Sequence, residues 1–444
     1  MSPPGLCLVV LGLVSGTPPE NLTLDLQGKL ETQVGTNLSL GTPVGSVSAL
    51  LSFTPGVLVE DRSEIGDLKL SYTPLLYFQV PAGPGYPSQV LVLNRVNYEA
   101  TNQLGRTATI SLTGALWFGD QNFSPVVNQG VVPGQPAGVP LPPGALPPVE
   151  LLKVLYSTTQ LGFSLLTSPT LQLALAAGFL YTEGTNDASR LQLPLQRGPF
   201  AVARADFLLS KRDTLTPALR VGFLSYGPIF WAPGEGTESG STVTIPHFQE
   251  GLDLTATVLT LKWEHQESAA LRTEAAVGGA LFNQTSSYDV PVGQTGNLLW
   301  IPRSLPVPAS TFLLPILSAR ALYTVSFQEE QPLVFGASAA LAPFVNQFAG
   351  TVYERVEGTL SADWSPSPFL RLGGSAVVAD SFYPEEFDFR MEARAVWSVA
   401  TSVAVAVGAR VAWIDYAVPG ALTAYNGFNW SVFISVTGAT GALF

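Results

Sequence analysis

The chain has 444 residues, of which 46% are hydrophobic and only 12% are charged, and its mean hydropathy is +0.29. About a quarter of the residues are charged in an ordinary soluble domain, so this composition excludes an ordinary soluble surface. The net charge of −12 argues against nucleic acid as a partner, because binding to a phosphate backbone requires a basic patch.

The first segment, residues 1–16, is typical of a secretory signal peptide, since an apolar run over residues 6–14 is followed by small residues. No Lys or Arg precedes Lys29, so the usual basic start is missing and we expect the true start to lie upstream of Met1. The single cysteine, Cys7, falls inside this segment. A mature chain without cysteine suits an oxidising periplasmic route with no disulfide to form.

The rest of the chain consists of short apolar or alternating segments separated by turn residues. It contains no apolar run of about 18 residues, which excludes a helical membrane bundle, and 42 Gly with 36 Pro favour strands. About eighteen strands are predicted, an even number as single-chain bacterial barrels require, and sixteen is the alternative. They cover 22–33, 46–59, 67–80, 88–101, 105–118, 149–163, 169–182, 199–211, 214–226, 252–265, 268–283, 312–327, 332–346, 350–364, 368–381, 386–398, 401–415 and 427–444.

The segment FDFRMEARAVW, at 387–397, shows the alternation most clearly. Successive side chains of a strand point to opposite faces, so one face here is apolar from end to end and the other carries four charges. One such segment fits a soluble sandwich as well as a membrane barrel. The apolar row is Phe387, Phe389, Met391, Ala393, Ala395 and Trp397, and the charged residues are Asp388, Arg390, Glu392 and Arg394.

The lengths of the connections separate these two folds. The long connections, near 119–148, 183–198, 227–251 and 284–311, follow odd-numbered strands, whereas short turns follow even-numbered ones. Outer-membrane barrels sort their loops in this way, with short periplasmic turns and long extracellular loops. The sequence therefore predicts an all-β fold: one transmembrane antiparallel up-and-down barrel over 22–444 in the bacterial outer membrane, in contact with its lipid.

The last strand adds a second indication. Trp430, Val432, Ile434 and Val436 share parity with the terminal Phe444. An aromatic C-terminus on the lipid-facing row resembles the signal read by the outer-membrane barrel assembly machinery, which implies that machinery as a partner.

Parity also predicts which charged side chains line the lumen, and this set is rich in arginine. Guanidinium groups could select anions or bind sugar hydroxyls, since each offers five donors in a fixed fork. The alternative is that they pair with carboxylates on neighbouring strands and brace the wall. The predicted lumen residues are Arg204, Asp206, Arg220, Arg320, Arg355, Glu357, Arg371, Arg390, Glu392, Arg394 and Arg410.

Many other acidic residues are predicted to lie in the long outer loops. Two of these loops are candidates for function: the Pro-rich stretch 128–150 as a constriction or plug, and 231–250 as a gate or partner site. For both, an exposed surface loop is the alternative. The acidic residues are Asp120, Glu183, Asp187, Glu235 and Glu238.

Catalysis has little support in the sequence. The two histidines, His247 and His265, fall at opposite ends of the predicted barrel and cannot share a site. No glycine pattern of a Rossmann fold or P-loop is present. We therefore expect no enzymatic activity, no cofactor and no metal.

The region 46–120 carries Tyr72, Thr73 and Pro74, then Leu93 and Asn94, then Arg106 opening a Thr/Ser/Leu strand. This order resembles outer-membrane β-barrels associated with exopolysaccharide export in Gram-negative bacteria. The resemblance implies a barrel that passes a polysaccharide across the outer membrane together with a periplasmic export protein.

Two functions follow as expectations. The first is a channel for a solute or polysaccharide, with an open lumen lined by arginine. The second is a plugged structural or surface-interaction barrel that acts through its extracellular loops. The substrate and the oligomeric state are not specified by these patterns.

Overall fold

The structure is a computed structural model in which strands account for nearly all of the described residues. Within these residues, no helix is both long and apolar enough to cross a membrane. The described residues are 22–36, 47–63, 65–81, 89–122, 151–186, 189–190, 193, 195–227, 229–230, 234–238, 241–245, 248–292, 301–326, 331–345, 352–382, 385–416 and 425–440.

The first half of the chain forms eleven strands, and each begins and ends close to Gly, Pro, Asn, Asp or Ser residues that favour turns. These strands are β1 Leu22–Thr36, β2 Val47–Arg62, β3 Gly66–Tyr72, β4 Leu75–Pro81, β5 Gln89–Leu104, β6 Ala108–Asn122, β7 Leu151–Ser168, β8 Leu171–Gly184, β9 Gln196–Leu208, β10 Asp213–Tyr226 and β11 Ile229–Phe230.

The second half contributes another eleven, of which two form a small separate hairpin. These strands are β12 Gly234–Glu238, β13 Ser241–Ile245, β14 Phe248–Gln266, β15 Leu271–Val292, β16 Ile301–Ser326, β17 Pro332–Val345, β18 Val352–Ser367, β19 Leu370–Phe382, β20 Glu385–Ala400, β21 Val403–Tyr416 and β22 Tyr425–Ala439.

Together these strands make a closed antiparallel barrel of eighteen strands in the described part of the chain. β3 and β4 are two halves of one barrel strand, interrupted at Pro74, which has no N–H to donate. β11 continues β10 along β14, and the β12–β13 hairpin pairs only with itself. Closure comes from β1 pairing with β22, from Gln27 opposite Ala439 to Gly35 opposite Ser431.

The outer surface of the barrel is apolar. On strand after strand, the large apolar side chains of one parity are exposed, as alternation predicted. A band of this kind is stable only against lipid, and closure leaves no unpaired sheet edge in the hydrocarbon. The exposed rows include Leu26, Leu30 and Val34 on β1, Leu161 and Phe163 on β7, Leu219, Val221 and Phe223 on β10, and Val432, Ile434 and Val436 on β22.

The two ends of the barrel differ, and the predicted sorting of loops by parity is confirmed. At the short-turn end, consecutive strands are joined by two to five residues, for example 105–107 between β5 and β6, where Gly105 has a φ of 82°. At the long-connection end, the segment between β6 and β7 covers 123–150. This segment includes the proposed plug at 128–150, which lies outside the described residues.

Several predicted loop boundaries need correction. β15 and β16 continue their pairing from Val292 opposite Ile301, so most of 284–311 is a two-stranded ribbon. Prolines such as Pro302 suggested a loop, but β17 pairs with β16 only from Leu317 onward, and an edge without a neighbour tolerates missing N–H groups. Likewise, β8 and β9 extend into 183–198, and 227–251 contains β11 to β13 and the start of β14.

The acidic residues assigned to loops shift accordingly. Asp120 lies in β6 and Glu183 in β8, whereas Glu235 and Glu238 lie in β12. Asp187 lies outside the described residues. Most of these carboxylates therefore belong to strands near the long-connection end, because the strands are longer there than the sequence alone indicated.

Candidate functional site

The lumen is the largest concave feature of the barrel, and its wall changes along the axis. Lumen-facing side chains in the half nearer the long connections are buried, and those in the half nearer the short turns are open. On β20, Asp388 is 2% exposed, whereas the side chain of Arg394 is 49% exposed. On β1, Gln33 is buried and Lys29 is open. The lumen is thus accessible from the short-turn end.

All eleven predicted lumen residues lie on the strand faces opposite to the exposed apolar rows. The structure brings five of them into two groups on β18, β20 and β21, and a sixth, Arg394, lies at the edge of the second group. The other five, on β9, β10, β16 and β19, lie apart from these groups. Their role in passage of a solute stays a prediction.

The first group joins β18 to β20 across β19. Arg355 Nη2 lies 3.7 Å from a carboxylate oxygen of Glu357 and 3.7 Å from Oδ2 of Asp388. Arg390 Nε donates to Asp388 Oδ1 at 3.1 Å. The intervening residue in the same row is Ala379, whose methyl group is small enough to let the side chains meet above it. Arg355 and Asp388 are both buried.

The second group crosses the closure of the barrel. Arg410 Nε donates to Glu392 Oε2 at 2.9 Å, and its Nη1 lies 3.4 Å from Oε1 of Glu31 on β1. The guanidinium lies 4.0 Å from the ring centroid of Phe433, which gives a cation–π contact. Arg394 lies 3.8 Å from the other oxygen of Glu392. One arginine thus connects β20, β21, β22 and β1.

The remaining five residues are less tightly held. Arg204 forms an ion pair with Asp206 at 3.4 Å, and Thr216 donates to the same carboxylate at 2.8 Å. Arg220 lies over the ring of Phe200 at 5.4 Å. In the described part of the chain, Arg220, Arg320 and Arg371 have no carboxylate within ion-pair distance. These five predicted residues are Arg204, Asp206, Arg220, Arg320 and Arg371.

This pairing separates the two interpretations of the arginines. Arg390 and Arg410 donate hydrogen bonds to carboxylates, and Arg355 lies within ion-pair distance of two carboxylates. These three guanidinium groups therefore have less charge to offer a passing anion, which favours the bracing interpretation for them. Arg320 and Arg371 are exposed and have no such partner among the described residues, so they keep their charge for the lumen. We call the lumen side chains of β18 to β22 and β1 the ion-paired wall.

A different surface faces it across the lumen. In the short-turn half of β5 to β8, the lumen-facing side chains are almost all uncharged hydroxyls and amides, and Glu99 is the one charged residue among those described there. We call this surface the hydroxyl wall. It consists of Asn97, Glu99, Thr101, Gln103, Thr109, Ser111, Thr113, Thr158, Gln160, Ser164 and Gln172.

Apolar and aromatic side chains complete the interior near the long connections. One cluster joins β10, β14 and β15 through Tyr226, Leu252, Leu254 and Phe282, and the ring of Phe282 stacks on Phe312 at 5.6 Å. A second contains Ala115, Trp117 and Tyr156, with the two rings 6.1 Å apart. These clusters make parts of the buried lumen wall apolar, beside buried polar side chains such as Gln33 and Asp388.

The predicted lumen residues did not include Asp388 and Glu31, which are acidic partners of Arg390 and Arg410, and the hydroxyl wall was not predicted. Asp388 has the parity of the charged face in FDFRMEARAVW, so alternation was sufficient to find it. Glu31 pairs with Arg410 over 379 positions, and only the closure of β1 on β22 brings them together. The hydroxyl wall has a local signal in the alternating Thr and Ser residues over 107–113. Only the register of β5 to β8 shows that they belong to one uncharged surface.

Among the described residues, no group of three or more His, Cys, Asp or Glu side chains could hold a metal ion. His247 lies outside them. His265 lies at the short-turn end of β14, where Nδ1 is 2.7 Å from Asp213 and Nε2 is 2.9 Å from Glu267. Both contacts are outside the apolar band, one row beyond Trp263, whose ring stacks on the imidazole at 5.3 Å.

No family model matches the chain, and no curated protein matches it. Among solved structures, the copper transporter OprC matches with a TM-score of 0.50 and 10% identity, over 96% of this chain and 82% of that one. OccK7 (OpdD) of Pseudomonas aeruginosa matches with a TM-score of 0.45 and 10% identity, over 95% of this chain and 100% of that one. The ferric-catecholate import receptor Fiu of E. coli K12 matches with a TM-score of 0.47 and 8% identity, over 96% of this chain and 82% of that one.

At these identities the likeness concerns the fold alone. The fold and the apolar outer band together define the class: this is an eighteen-stranded outer-membrane β-barrel. Its lumen, with one ion-paired and one hydroxyl wall, is the candidate functional site.

Proposed function

We propose that the barrel is a channel through which a solute crosses the outer membrane. The observation that carries this proposal is the open polar wall of the short-turn half, where the side chains of Lys29, Arg204 and Arg394 are about half exposed inside the barrel. A barrel of eighteen strands is too wide for its own side chains to fill. Burial near the long connections supports a narrower passage at that end.

The finer proposal concerns the solute. The hydroxyl wall supports an uncharged hydroxylated solute, and the resemblance of region 46–120 to polysaccharide-export barrels favours a polysaccharide passed on by a periplasmic export protein. Recognition of Phe444 by the assembly machinery belongs to the same proposal, and residues 441–444 lie outside those described. The proposal includes no catalytic step and no cofactor.

Burial in the long-connection half also favours the second candidate, a plugged barrel that acts through its outer surface. A planar lipid bilayer separates the two. For the channel, we expect a steady single-channel conductance with weak anion preference, because most lumen arginines are paired. Replacing Arg320 and Arg371 with alanine should weaken this preference, whereas Lys153→Ala, on the lipid-facing parity of β7, should not.

The control for insertion is the shift in gel mobility that folded barrels show before and after boiling. A barrel that is folded and inserted but carries no current at any voltage would contradict the channel and support the plugged barrel.

A further inference from the structure

A groove of about 370 Å³ lies on the lumen side of β3, β5, β6 and β7, in the short-turn half. Its volume falls in the range of small-molecule sites, which are about 300–1,000 Å³. Its lining combines hydroxyl, amide and charged groups with apolar surface. It is bounded by Leu58, Lys69, Ser71, Asn97, Tyr98, Glu99, Thr113, Gly114, Ala115 and Thr158.

The groove results from one small residue in a row of larger ones. Ser71, Asn97, Ala115 and Thr158 lie opposite one another on successive strands. The methyl group of Ala115 is the floor, and the indole of Trp117 stands two residues along the same strand. A larger side chain at Ala115 would fill the space, so the concavity is a property of this position.

The amide of Asn97 is held at both ends. Its Nδ2 donates to Ser71 Oγ at 3.3 Å, and its Oδ1 accepts from Trp117 Nε1 at 3.5 Å. These two contacts fix the orientation of the amide plane. Asn97 therefore presents its remaining donor and acceptor in a defined direction, as a preorganised binding group does.

The other polar groups of the groove have unused capacity. The hydroxyls of Thr113 and Thr158 make no side-chain hydrogen bond within the described part of the chain. Glu99 lies opposite Lys69 in the register, yet Lys69 pairs with Glu60 at 3.1 Å instead. Among the described residues, the Glu99 carboxylate consequently has no partner and can accept hydrogen bonds from a ligand.

We propose that this groove binds an uncharged polyhydroxylated solute, a sugar ring or a polyol, as the selective step of the channel. The inference rests on the proposed function and names its substrate class. Hydroxyl groups both donate and accept, so they match a site that offers Thr hydroxyls, the Asn97 amide and the Glu99 carboxylate together. The one cation of the groove, Lys69, is paired with Glu60, and Arg320 and Arg371, which would attract an anion, lie outside the hydroxyl wall.

Binding can be measured on the purified barrel in detergent, without transport, by isothermal titration. The probes are neutral oligosaccharides of glucose, galactose and mannose, with tri-galacturonate as the anion and putrescine as the cation. The double variant Thr113→Val/Thr158→Val should weaken neutral-sugar binding by about tenfold, since each hydrogen bond contributes about 0.5–1.5 kcal/mol. Glu99→Gln should weaken it less, and Ala115→Leu should remove it.

The matched control is Thr359→Val/Ser361→Ala, which removes two lumen-facing hydroxyls from β18 and should leave binding unchanged. Failure of every neutral sugar to bind, or an equal loss in both double variants, would overturn the inference. Stronger binding of putrescine than of any sugar would overturn it too, because Glu99 would then be a cation site.

The bilayer experiment keeps this inference separate from the proposed function. If the barrel conducts but no sugar binds, the proposed channel is supported and the groove is not its selective step. If sugar binds but the barrel does not conduct, the proposed channel is wrong and the protein is a sugar-binding barrel.

Discussion

The ion-paired wall and the hydroxyl wall face each other across one lumen, yet they hold their side chains in different ways. In the ion-paired wall, most charges have a partner on the same strand or a neighbouring one, as Arg390 has Asp388 and Arg410 has Glu392 and Glu31. In the hydroxyl wall, Thr113 and Thr158 keep their hydroxyls for the lumen. The comparison suggests that the first wall stabilises the barrel and the second is available to a solute.

The largest expected effect comes from breaking the ion-paired wall. Arg410→Met would take the shared cation away from the buried Glu31 and the half-buried Glu392. The cost in the free energy of unfolding should be about 3 kcal/mol, the lower end for a broken buried pair, because Lys29 and Arg394 remain beside these carboxylates. Thr113→Val, in the hydroxyl wall, should cost under about 1 kcal/mol. Urea unfolding of the barrel in lipid vesicles, followed by tryptophan fluorescence, measures both.

Arg204→Met is the control for removal of an arginine. The Arg204 side chain is 52% exposed, and its pair with Asp206 should contribute no more than about 1 kcal/mol. If Arg410→Met were no more destabilising than Arg204→Met, the division of the lumen into a bracing and a non-bracing wall would be wrong.

The second effect concerns the lipid-facing side of the hydroxyl wall. Gly114 is covered by the ring of Tyr98, whose hydroxyl lies 2.6 Å from that of Thr159. A methyl group at Gly114 would collide with this ring, so Gly114→Ala should cost about 1–3 kcal/mol in the same unfolding assay.

Gly374 gives a matched control for this prediction. It is also on the lipid-facing parity, but a methyl group there would meet only a carbonyl oxygen of Glu392 at 3.7 Å. Gly374→Ala should be neutral or slightly stabilising. Equal losses for the two variants would mean that Tyr98 does not constrain this part of the barrel.

A third, smaller effect should appear in ion selectivity. Replacing Arg320 and Arg371 with glutamine removes two exposed charges without carboxylate partners among the described residues, and the preference for anions should fall about two- to fivefold. Arg390→Gln should change it less, because Arg390 is paired with Asp388. Reversal potentials in a salt gradient measure this difference. A larger loss of anion preference in Arg390→Gln than in the Arg320 and Arg371 variant would show that pairing with Asp388 does not reduce the effect of Arg390 on passing anions.

The smallest effect lies at the short-turn rim, outside both walls. Hydrogen bonds to Asp213 and then Glu267 raise the pKa of His265, and hydrogen bonds from Ser210 and then His265 lower the pKa of Asp213. The stabilisation from a raised histidine pKa is complete below about pH 6.5 and is lost as the pH rises through the folded-state value. Asp213→Asn should lower the pKa of His265 in an NMR titration of labelled histidine, and an unchanged value would exclude this contact.

Alternation and loop lengths were sufficient to predict the fold. FDFRMEARAVW has its apolar row outside and its charges inside, and the sorted connections indicated antiparallel strands with one short-turn end. The ribbon of β15 and β16 was missed because Pro302 and its neighbours are typical of loops, and only the absence of a pairing strand there makes them acceptable.

The candidate site was predicted less completely. Parity is a local property, so it placed Arg410 and Glu392 on one face. It carries no information on register between distant strands, and the contact of Arg410 with Glu31 depends on closure of the barrel. The groove at Ala115 depends on four strands in register, which no single segment could indicate.

Liposome swelling in isosmotic solutions of neutral sugars tests the channel most directly. Vesicles that contain the folded barrel should swell in glucose and more slowly in larger oligosaccharides, because the burial of lumen-facing side chains near the long connections favours a narrower passage there. Vesicles with the same amount of folded barrel that swell no faster in glucose than protein-free vesicles would contradict the account.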